Sequence, residues 1–113
     1  MNNEDAPNFH PVCHVSDVPD GEGRMFFVAE RMVGVFNIQG SFFALANECP
    51  HAGASLARGL IEGDVVHCRI HLWRFSIRDG TYLDEDKPEF NVQSFPVRVV
   101  GEEVQVALAG REP

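Results

Sequence analysis

The sequence predicts an all-β protein of one domain, and three observations support this. Apolar residues recur mostly with period two or in short β-branched runs, which is the pattern of strands. The ten glycines and seven prolines are spread along the chain, as turns between short strands require. No segment carries an apolar stripe of helical period long enough to predict a stable helix.

The first half of the chain predicts two strands and a hairpin. Residues 11–18 (PVCHVSDV) and 24–30 (RMFFVAE) are the two strands. Residues 31–47 predict the hairpin, because two apolar runs flank Gln39-Gly40 and glycine accepts the positive φ of a tight turn.

The second half predicts a short strand at 63–68 and two further hairpins. One hairpin spans 73–83 and turns at Asp79-Gly80, and the other spans 95–108. Residues 84–94 form a polar connection between them. The segment 53–63 has a short apolar pattern, but its three glycines argue against a helix.

Size and composition indicate a single packed domain over residues 1–113. The chain is long enough for one modest core, and its 44% hydrophobic content with nine Phe argues against disorder. No apolar run approaches the roughly 20 residues that cross a bilayer. The N-terminus carries acid where a signal peptide needs base. We therefore expect a soluble, cytoplasmic protein without membrane contact.

The net charge of −8 argues against nucleic acid as a partner, because such binding depends on Lys and Arg. An acidic surface either keeps the protein soluble or steers it to a basic partner, and the sequence leaves both open. Residues 49–78 are an exception, since four Arg against one Glu and one Asp give them a net charge of +2. This segment could orient docking, or the placement could be chance.

The three cysteines are too few, and odd in number, for a disulfide framework. Cys13 lies in an apolar strand pattern and is interpreted as a buried small residue. The other two are paired with histidines, as Cys49-x-His51 and, after sixteen residues, Cys68-x2-His71. Thiolates and imidazoles in this pattern indicate a metal centre.

Zinc and a [2Fe-2S] cluster compete for these four ligands. Zinc accepts the same atoms, but zinc sites usually pair Cys with Cys and His with His. A one-residue gap is also tight for two ligands of one tetrahedral ion. In a diiron cluster both Cys can bind one iron and both His the other, so each pair spans two irons. The spacing favours the cluster.

The pattern resembles the Rieske family beyond the four ligands. Gly53, Leu56 and Gly59 stand between the pairs, as in Rieske ferredoxins, and the letters EGD precede the second Cys. Trp73 and Phe75 follow the second His, and residues 95–108 resemble the closing hairpin. The resemblance implies antiparallel sheets with two cluster-binding loops at one tip, formed by residues 47–80. It also implies one Rieske [2Fe-2S] cluster per chain, bound by Cys49, His51, Cys68 and His71.

The second loop departs from the family at two positions. Arg69 and Leu72 replace a frequent Pro and Gly, so we expect an apolar side chain near His71. Trp73 and Phe75 stand where high-potential members carry hydroxyl side chains. Hydroxyl donors stabilise the reduced cluster and so raise its midpoint potential. Because these two positions carry no hydroxyl, we expect a midpoint potential at the low end of the Rieske range, about −200 to −50 mV.

The resemblance implies a one-electron carrier between a reductase and a terminal oxygenase. Nothing in the sequence supplies a substrate pocket, a nucleophile with a base or a mononuclear iron triad, so we expect no enzyme activity of its own. We expect a monomer that docks transiently. The alternative is a Rieske-type small subunit of a larger reductase, such as assimilatory nitrite reductase. A zinc-stabilised or cluster-free binding module is a third possibility.

Overall fold

The computed structural model describes residues 9–50, 53–70 and 72–108. These residues form ten strands and three single-turn 3₁₀ helices, and they contain no α-helix. The strands are β1 (Phe9–His14), β2 (Glu22–Val28), β3 (Arg31–Ile38), β4 (Ser41–Ala46), β5 (Leu60–Glu62), β6 (Val65–His67), β7 (Arg74–Ser76), β8 (Ser94–Phe95), β9 (Val97–Val100) and β10 (Glu103–Ala107). The 3₁₀ helices are Val15–Asp17, Leu56–Arg58 and Pro88–Phe90. The all-β prediction is confirmed.

The strands form three antiparallel sheets, ordered β1-β10-β9, β2-β3-β4-β8 and β5-β6-β7. The second is central, because each of its two faces packs against a core. On one face, Val33 and Val35 pack into a core with Val104 and Val106 of the first sheet. On the other face, Phe36 packs into a second core under the third sheet. Burial on both faces explains why residues 33–36 of β3 are a continuous apolar run rather than an alternating one.

Two of the three predicted hairpins are confirmed. The strands β3 and β4 pair as predicted, with Gln39 and Gly40 at φ of 56° and 90° in the connecting turn. The strands β9 and β10 form the C-terminal hairpin. The middle hairpin forms its turn at Gly80, and the returning chain pairs with β7 through the bridge Phe75–Tyr82, but it forms no second strand among the described residues.

The missing strand has a local cause. The Leu83 amide donates to the Arg74 carbonyl at 2.9 Å, but the Arg74 amide donates to Asp84 Oδ2 at 2.9 Å instead of completing this pair, so the ladder along β7 stops there. The segment 53–63 forms no α-helix, as predicted, but it contributes the strand β5, which the sequence did not predict. Within the described residues, no helix is long and apolar enough to cross a membrane.

The core under the third sheet positions the predicted ligands. It joins the central sheet, the third sheet and the connection that follows β7, and it contains both Cys49 and Cys68. Its buried members are Phe36, Leu45, Cys49, Leu56, Val66, Cys68, Phe75, Ile77, Tyr82 and Val92.

Candidate metal centre

Two of the four predicted ligands converge in this core. Cys49 follows β4 and Cys68 follows β6, and their side chains are 1% and 0% exposed. The two thiols contact each other, and all three cysteines are free. The other two predicted ligands, His51 and His71, lie outside the described residues. Cys13 is half-buried against the other core, on the far side of the central sheet.

The first loop is anchored by Asn47, a buried residue that the sequence analysis did not single out. Its side-chain oxygen accepts the Ala57 amide at 3.0 Å, and its side-chain nitrogen donates to the Ser55 hydroxyl at 2.9 Å. Its own amide donates to the Met32 carbonyl. The sequence offered one signal for this role, namely that Asn47 is a polar residue directly after an apolar strand and shortly before the first cysteine. Asn47 therefore ties the loop to the central sheet and to its own far end.

Backbone hydrogen bonds close the first loop around Cys49. The Cys49 amide donates to the Ala54 carbonyl at 2.9 Å, and the Gly53 amide donates to the Cys49 carbonyl at 2.7 Å. Leu56 is fully buried beneath the loop. A Cβ added to Gly59 would lie 2.4 Å from the His67 carbonyl oxygen, so the loop passes too close to β6 for any side chain.

The second loop holds Cys68 from both sides. The Cys68 amide donates to the Trp73 carbonyl at 2.8 Å, and the Ile70 amide donates to the Cys68 thiol. Burial raises the pKa of the Cys68 thiol, and the Ile70 hydrogen bond opposes this rise. Leu72, at the position where the resembling family often has Gly, has a φ of 58° and is 56% exposed. The chain thus keeps a left-handed conformation here without glycine, and Leu72 presents an apolar side chain next to His71 in sequence.

Aromatic rings support the second loop. The Trp73 ring centroid lies 4.6 Å from that of Tyr82 and 5.1 Å from that of Phe90. Phe75 is fully buried, with its ring centroid 5.6 Å from that of Tyr82. Trp73 and Phe75 therefore pack with Tyr82 and Phe90 beneath the second loop.

The charges of the cluster segment are partly neutralised by ion pairs. Arg74 Nε lies 2.7 Å from Asp84 Oδ1, and Arg78 Nε lies 2.8 Å from Asp64 Oδ2. Arg58 and Arg69 have no carboxylate within 4.0 Å among the described residues. Arg69 Nε instead donates to the Arg58 carbonyl. The positive charge that the composition indicated is therefore concentrated at these two residues.

The donors that the structure describes fit an iron–sulfur cluster. Two free, buried thiols approach each other from separate loops, and a backbone amide points at one sulfur. Within residues 9–50, 53–70 and 72–108, no group of three or more His, Cys, Asp or Glu side chains could hold a metal ion. Of the four predicted ligands, the described residues thus bring together the two thiols, and His51 and His71 lie outside them.

The family comparison decides between the open interpretations. The family model for the Rieske [2Fe-2S] domain matches residues 8–96. The chain belongs to the Rieske family. Its cofactor is accordingly a Rieske [2Fe-2S] cluster, and the predictions of family, fold and cofactor are confirmed.

Two curated relatives cover almost the whole of this Rieske chain. The biphenyl dioxygenase ferredoxin subunit of Pseudomonas sp. strain KKS102 is 34% identical over 99 residues, which are 87% of this chain and 90% of the relative. The ferredoxin component of the alkene monooxygenase system of Xanthobacter autotrophicus strain Py2 is 37% identical over 111 residues, 97% of this chain and 87% of the relative.

Solved structures of two kinds share this Rieske fold. One is the complex of reduced oxygenase and oxidized ferredoxin in carbazole 1,9a-dioxygenase. The matched chain is 28% identical with a TM-score of 0.81, and the match covers 96% of this chain and 100% of the matched chain. The other is a putative NADH-dependent nitrite reductase small subunit from Mycobacterium tuberculosis. It is 26% identical with a TM-score of 0.83, and the match covers 94% of this chain and 99% of that subunit.

Proposed function

We propose that this chain is a soluble, cytoplasmic one-electron carrier that takes electrons from a reductase and passes them to a terminal oxygenase. Its Rieske [2Fe-2S] cluster is bound by Cys49, His51, Cys68 and His71, within one domain of residues 1–113. The convergence of two free, buried thiols from two loops carries this proposal. The curated relatives, which are ferredoxin components of oxygenase systems, support the role of carrier rather than enzyme.

The chain's own residues protect and tune the centre. When bound, a Rieske cluster accepts and releases one electron. Leu56 and Phe75, both fully buried, exclude water from the protein side of the two thiols. The Ile70 amide donates a hydrogen bond to the Cys68 sulfur, which stabilises negative charge there. Asn47 fixes the first loop and so limits the rearrangement that a change of charge would otherwise cause.

A permanent subunit of a larger reductase is the second candidate. It is favoured by the fold similarity to the nitrite reductase small subunit over 94% of this chain. A free carrier elutes as a monomer and exchanges between partners, whereas a subunit co-purifies with a large chain in fixed ratio. Size-exclusion chromatography of the untagged protein from its own cells separates the two.

The ligand assignment is tested on protein made anaerobically with abundant iron. We expect a red-brown protein containing iron and acid-labile sulfide, whereas a zinc form would be colourless. His51→Ala and His71→Ala should each lose the visible absorption. His67→Ala is the matched control and should keep it, because the His67 ring pairs with Glu62, with Nε2 3.2 Å from Oε1. Retention of the chromophore in either of the first two variants would contradict the assignment.

The carrier function is tested by reconstitution. The purified chain is mixed with the reductase and the oxygenase of the same organism, and reduction and reoxidation of the chromophore are followed separately. We expect both half-reactions to depend on the chain's concentration and to slow as salt increases. A chain that binds its cluster but is neither reduced nor reoxidised by these proteins would refute the carrier function.

A further inference from the structure

Three large apolar side chains are exposed together on the β2–β3 hairpin. Met25, Phe27 and Met32 are 41%, 76% and 44% exposed. Phe27 lies directly opposite Met32 in the register, and Met25 lies two residues before Phe27. Since alternate residues of a strand share a face, all three side chains project from the same face of the central sheet. We call these three residues the hairpin patch.

The hairpin patch lies on the face of the central sheet that carries the cluster-binding segment. Phe36, which is on that face, packs in the same core as both cysteines. The 3₁₀ turn Leu56–Arg58 covers the face near Gly23, the residue opposite Phe36, where an added Cβ would lie 3.1 Å from the Ala57 carbonyl oxygen. Further towards the hairpin turn the cover ends, and the hairpin patch is left facing solvent beside the cluster loops.

An open groove of about 580 Å³ runs between Met25 of the hairpin patch and both loops. Its walls come from β2 on one side and from the two cluster loops on the other. Arg69, in this wall, is the residue after Cys68. The lining residues are Gly23, Arg24, Met25, Ala57, Arg58 and Arg69. A protein bound in the groove would therefore contact the hairpin and the surroundings of a cluster ligand together.

The groove is positively charged on an acidic protein. Arg58 and Arg69 are exposed and have no ion pair among the described residues, whereas Arg24 is paired with Glu22 at 2.6 Å. The whole chain has a net charge of −8, which disfavours association of two copies. Unpaired arginines next to exposed Phe and Met side chains are typical of the centre of a protein interface. The complementary surface is apolar and bordered by carboxylates.

We propose that the hairpin patch, with Arg58 and Arg69, is a docking face for a redox partner that presents an apolar surface bordered by Asp and Glu. This inference depends on the proposed carrier function and adds to it the face used and the chemistry of the partner. The apolar patch supplies the contact area, and the two arginines orient the partner over the second cluster loop.

The test compares Phe27→Asp with Val100→Asp in the reconstituted system. Val100 is a matched control, because it is also an exposed apolar strand residue, 52% exposed, but lies in the first sheet on the other side of the molecule. For the reductase, the oxygenase or both, Phe27→Asp should raise the KM for the chain about tenfold with little change in the maximal rate. Val100→Asp should change this KM less than about twofold.

Arg58→Glu gives an independent variant if Phe27→Asp fails to fold. It should raise the same KM at low salt, and the difference from the wild type should shrink as salt increases. The absorption spectrum should be unchanged in Arg58→Glu and Val100→Asp, which separates a docking defect from a damaged cluster.

Two results would overturn the docking face, and they differ from each other. Suppose that the wild type transfers electrons but the KM values of Phe27→Asp and Arg58→Glu equal that of Val100→Asp with both partners. The carrier function then stands, and the assignment of the docking face is wrong. If the wild type itself exchanges no electrons with either partner, the carrier function fails and the docking inference fails with it.

Discussion

The Cys68 thiol contacts the Cys49 thiol inside the core, and neither side chain is more than 1% exposed. The two residues arrive from different loops, one following the central sheet and the other following the third sheet. Their meeting therefore depends on how these two sheets pack. The Asn47 side chain, which accepts the Ala57 amide and donates to the Ser55 hydroxyl, and close packing at Gly59 hold the first loop in place.

Exchanging single cysteines for serine tests which thiols hold the cluster. Cys49→Ser and Cys68→Ser should each lose iron, sulfide and visible absorption, because the hydroxyl is a much poorer ligand for iron than a thiolate. Cys13→Ser is the control and should keep all three. Burial, with a smaller effect of Asp17, raises the pKa of the Cys13 thiol to about 11, so this residue stays protonated. Loss of iron from Cys13→Ser would contradict the assignment.

Gly59→Ala tests the close approach of the first loop to β6. The new Cβ would lie 2.4 Å from the His67 carbonyl oxygen and 2.9 Å from Val66 Cγ2, although Gly59 has a φ of −73° that alanine accepts. The loop must therefore move. We expect the free energy of unfolding to fall by about 1–3 kcal/mol and the cluster to be lost faster to a chelator. The measurement is the half-life of the visible absorption in EDTA and mild urea.

Gly63→Ala is the control for this prediction. Gly63 has a φ of 61°, but nothing lies within 4 Å of an added Cβ, so alanine there meets backbone strain alone. We expect a cost of about 1 kcal/mol and a much smaller effect on cluster loss, because the turn between β5 and β6 lies away from both thiols. Equal half-lives for the two variants would mean that the close approach does not hold the loop.

Glu30→Gly should stabilise the protein. Ala29 and Glu30 form the two-residue turn between β2 and β3 with φ of 48° and 71°, a conformation that favours Asn-Gly. Relieving this strain should raise the free energy of unfolding by about 1 kcal/mol and the apparent Tm by about 4 °C. Gly40→Ala is the opposite change in the matching turn between β3 and β4, and it should lower Tm because φ there is 90°. A lower Tm for Glu30→Gly would refute the assigned strain.

The ligand spacing and the strand pattern were predictable because both are local in sequence. The strand β5 was not, because Leu60–Glu62 is a strand only through its pairing with β6. The role of Asn47 was not predictable either, since its partners lie eight and ten residues away in the folded loop. The charge of the cluster segment was predicted from composition, but ion pairs with Asp84 and Asp64 decide which arginines remain available.

Thr81→Val should raise the pKa of Asp79. The Thr81 hydroxyl donates to Asp79 Oδ1 at 2.7 Å, and this bond, with that of the Thr81 amide, lowers the pKa of the Asp79 carboxyl. A carboxyl whose pKa is lower in the folded state stabilises the protein at pH values above its unfolded-state pKa of about 3.9. This stabilisation is lost as pH falls through the folded-state pKa. Thr81→Val should therefore destabilise the protein at neutral pH and converge with the wild type in acid.

An NMR titration of the Asp79 carboxyl measures this shift directly. The titration midpoint should be higher in Thr81→Val than in the wild type. Thr81→Ser is the control, because it keeps the hydroxyl and should leave the midpoint near that of the wild type. An unchanged midpoint in Thr81→Val would assign the low pKa to the backbone amide of Thr81 instead.

The midpoint potential should lie at about −200 to −50 mV, the low end of the Rieske range. Phe75, fully buried in the core that holds both cysteines, has no hydroxyl to donate to sulfur, and the one donor to the Cys68 thiol described above is the Ile70 amide. Phe75→Tyr should raise the potential if its hydroxyl reaches a sulfur, because a donor stabilises the more negative, reduced cluster. Phe43→Tyr, at the edge of the same core, is the control and should leave the potential unchanged. Protein-film voltammetry measures both, and a wild-type midpoint above about +100 mV would show that donors other than these residues dominate the potential.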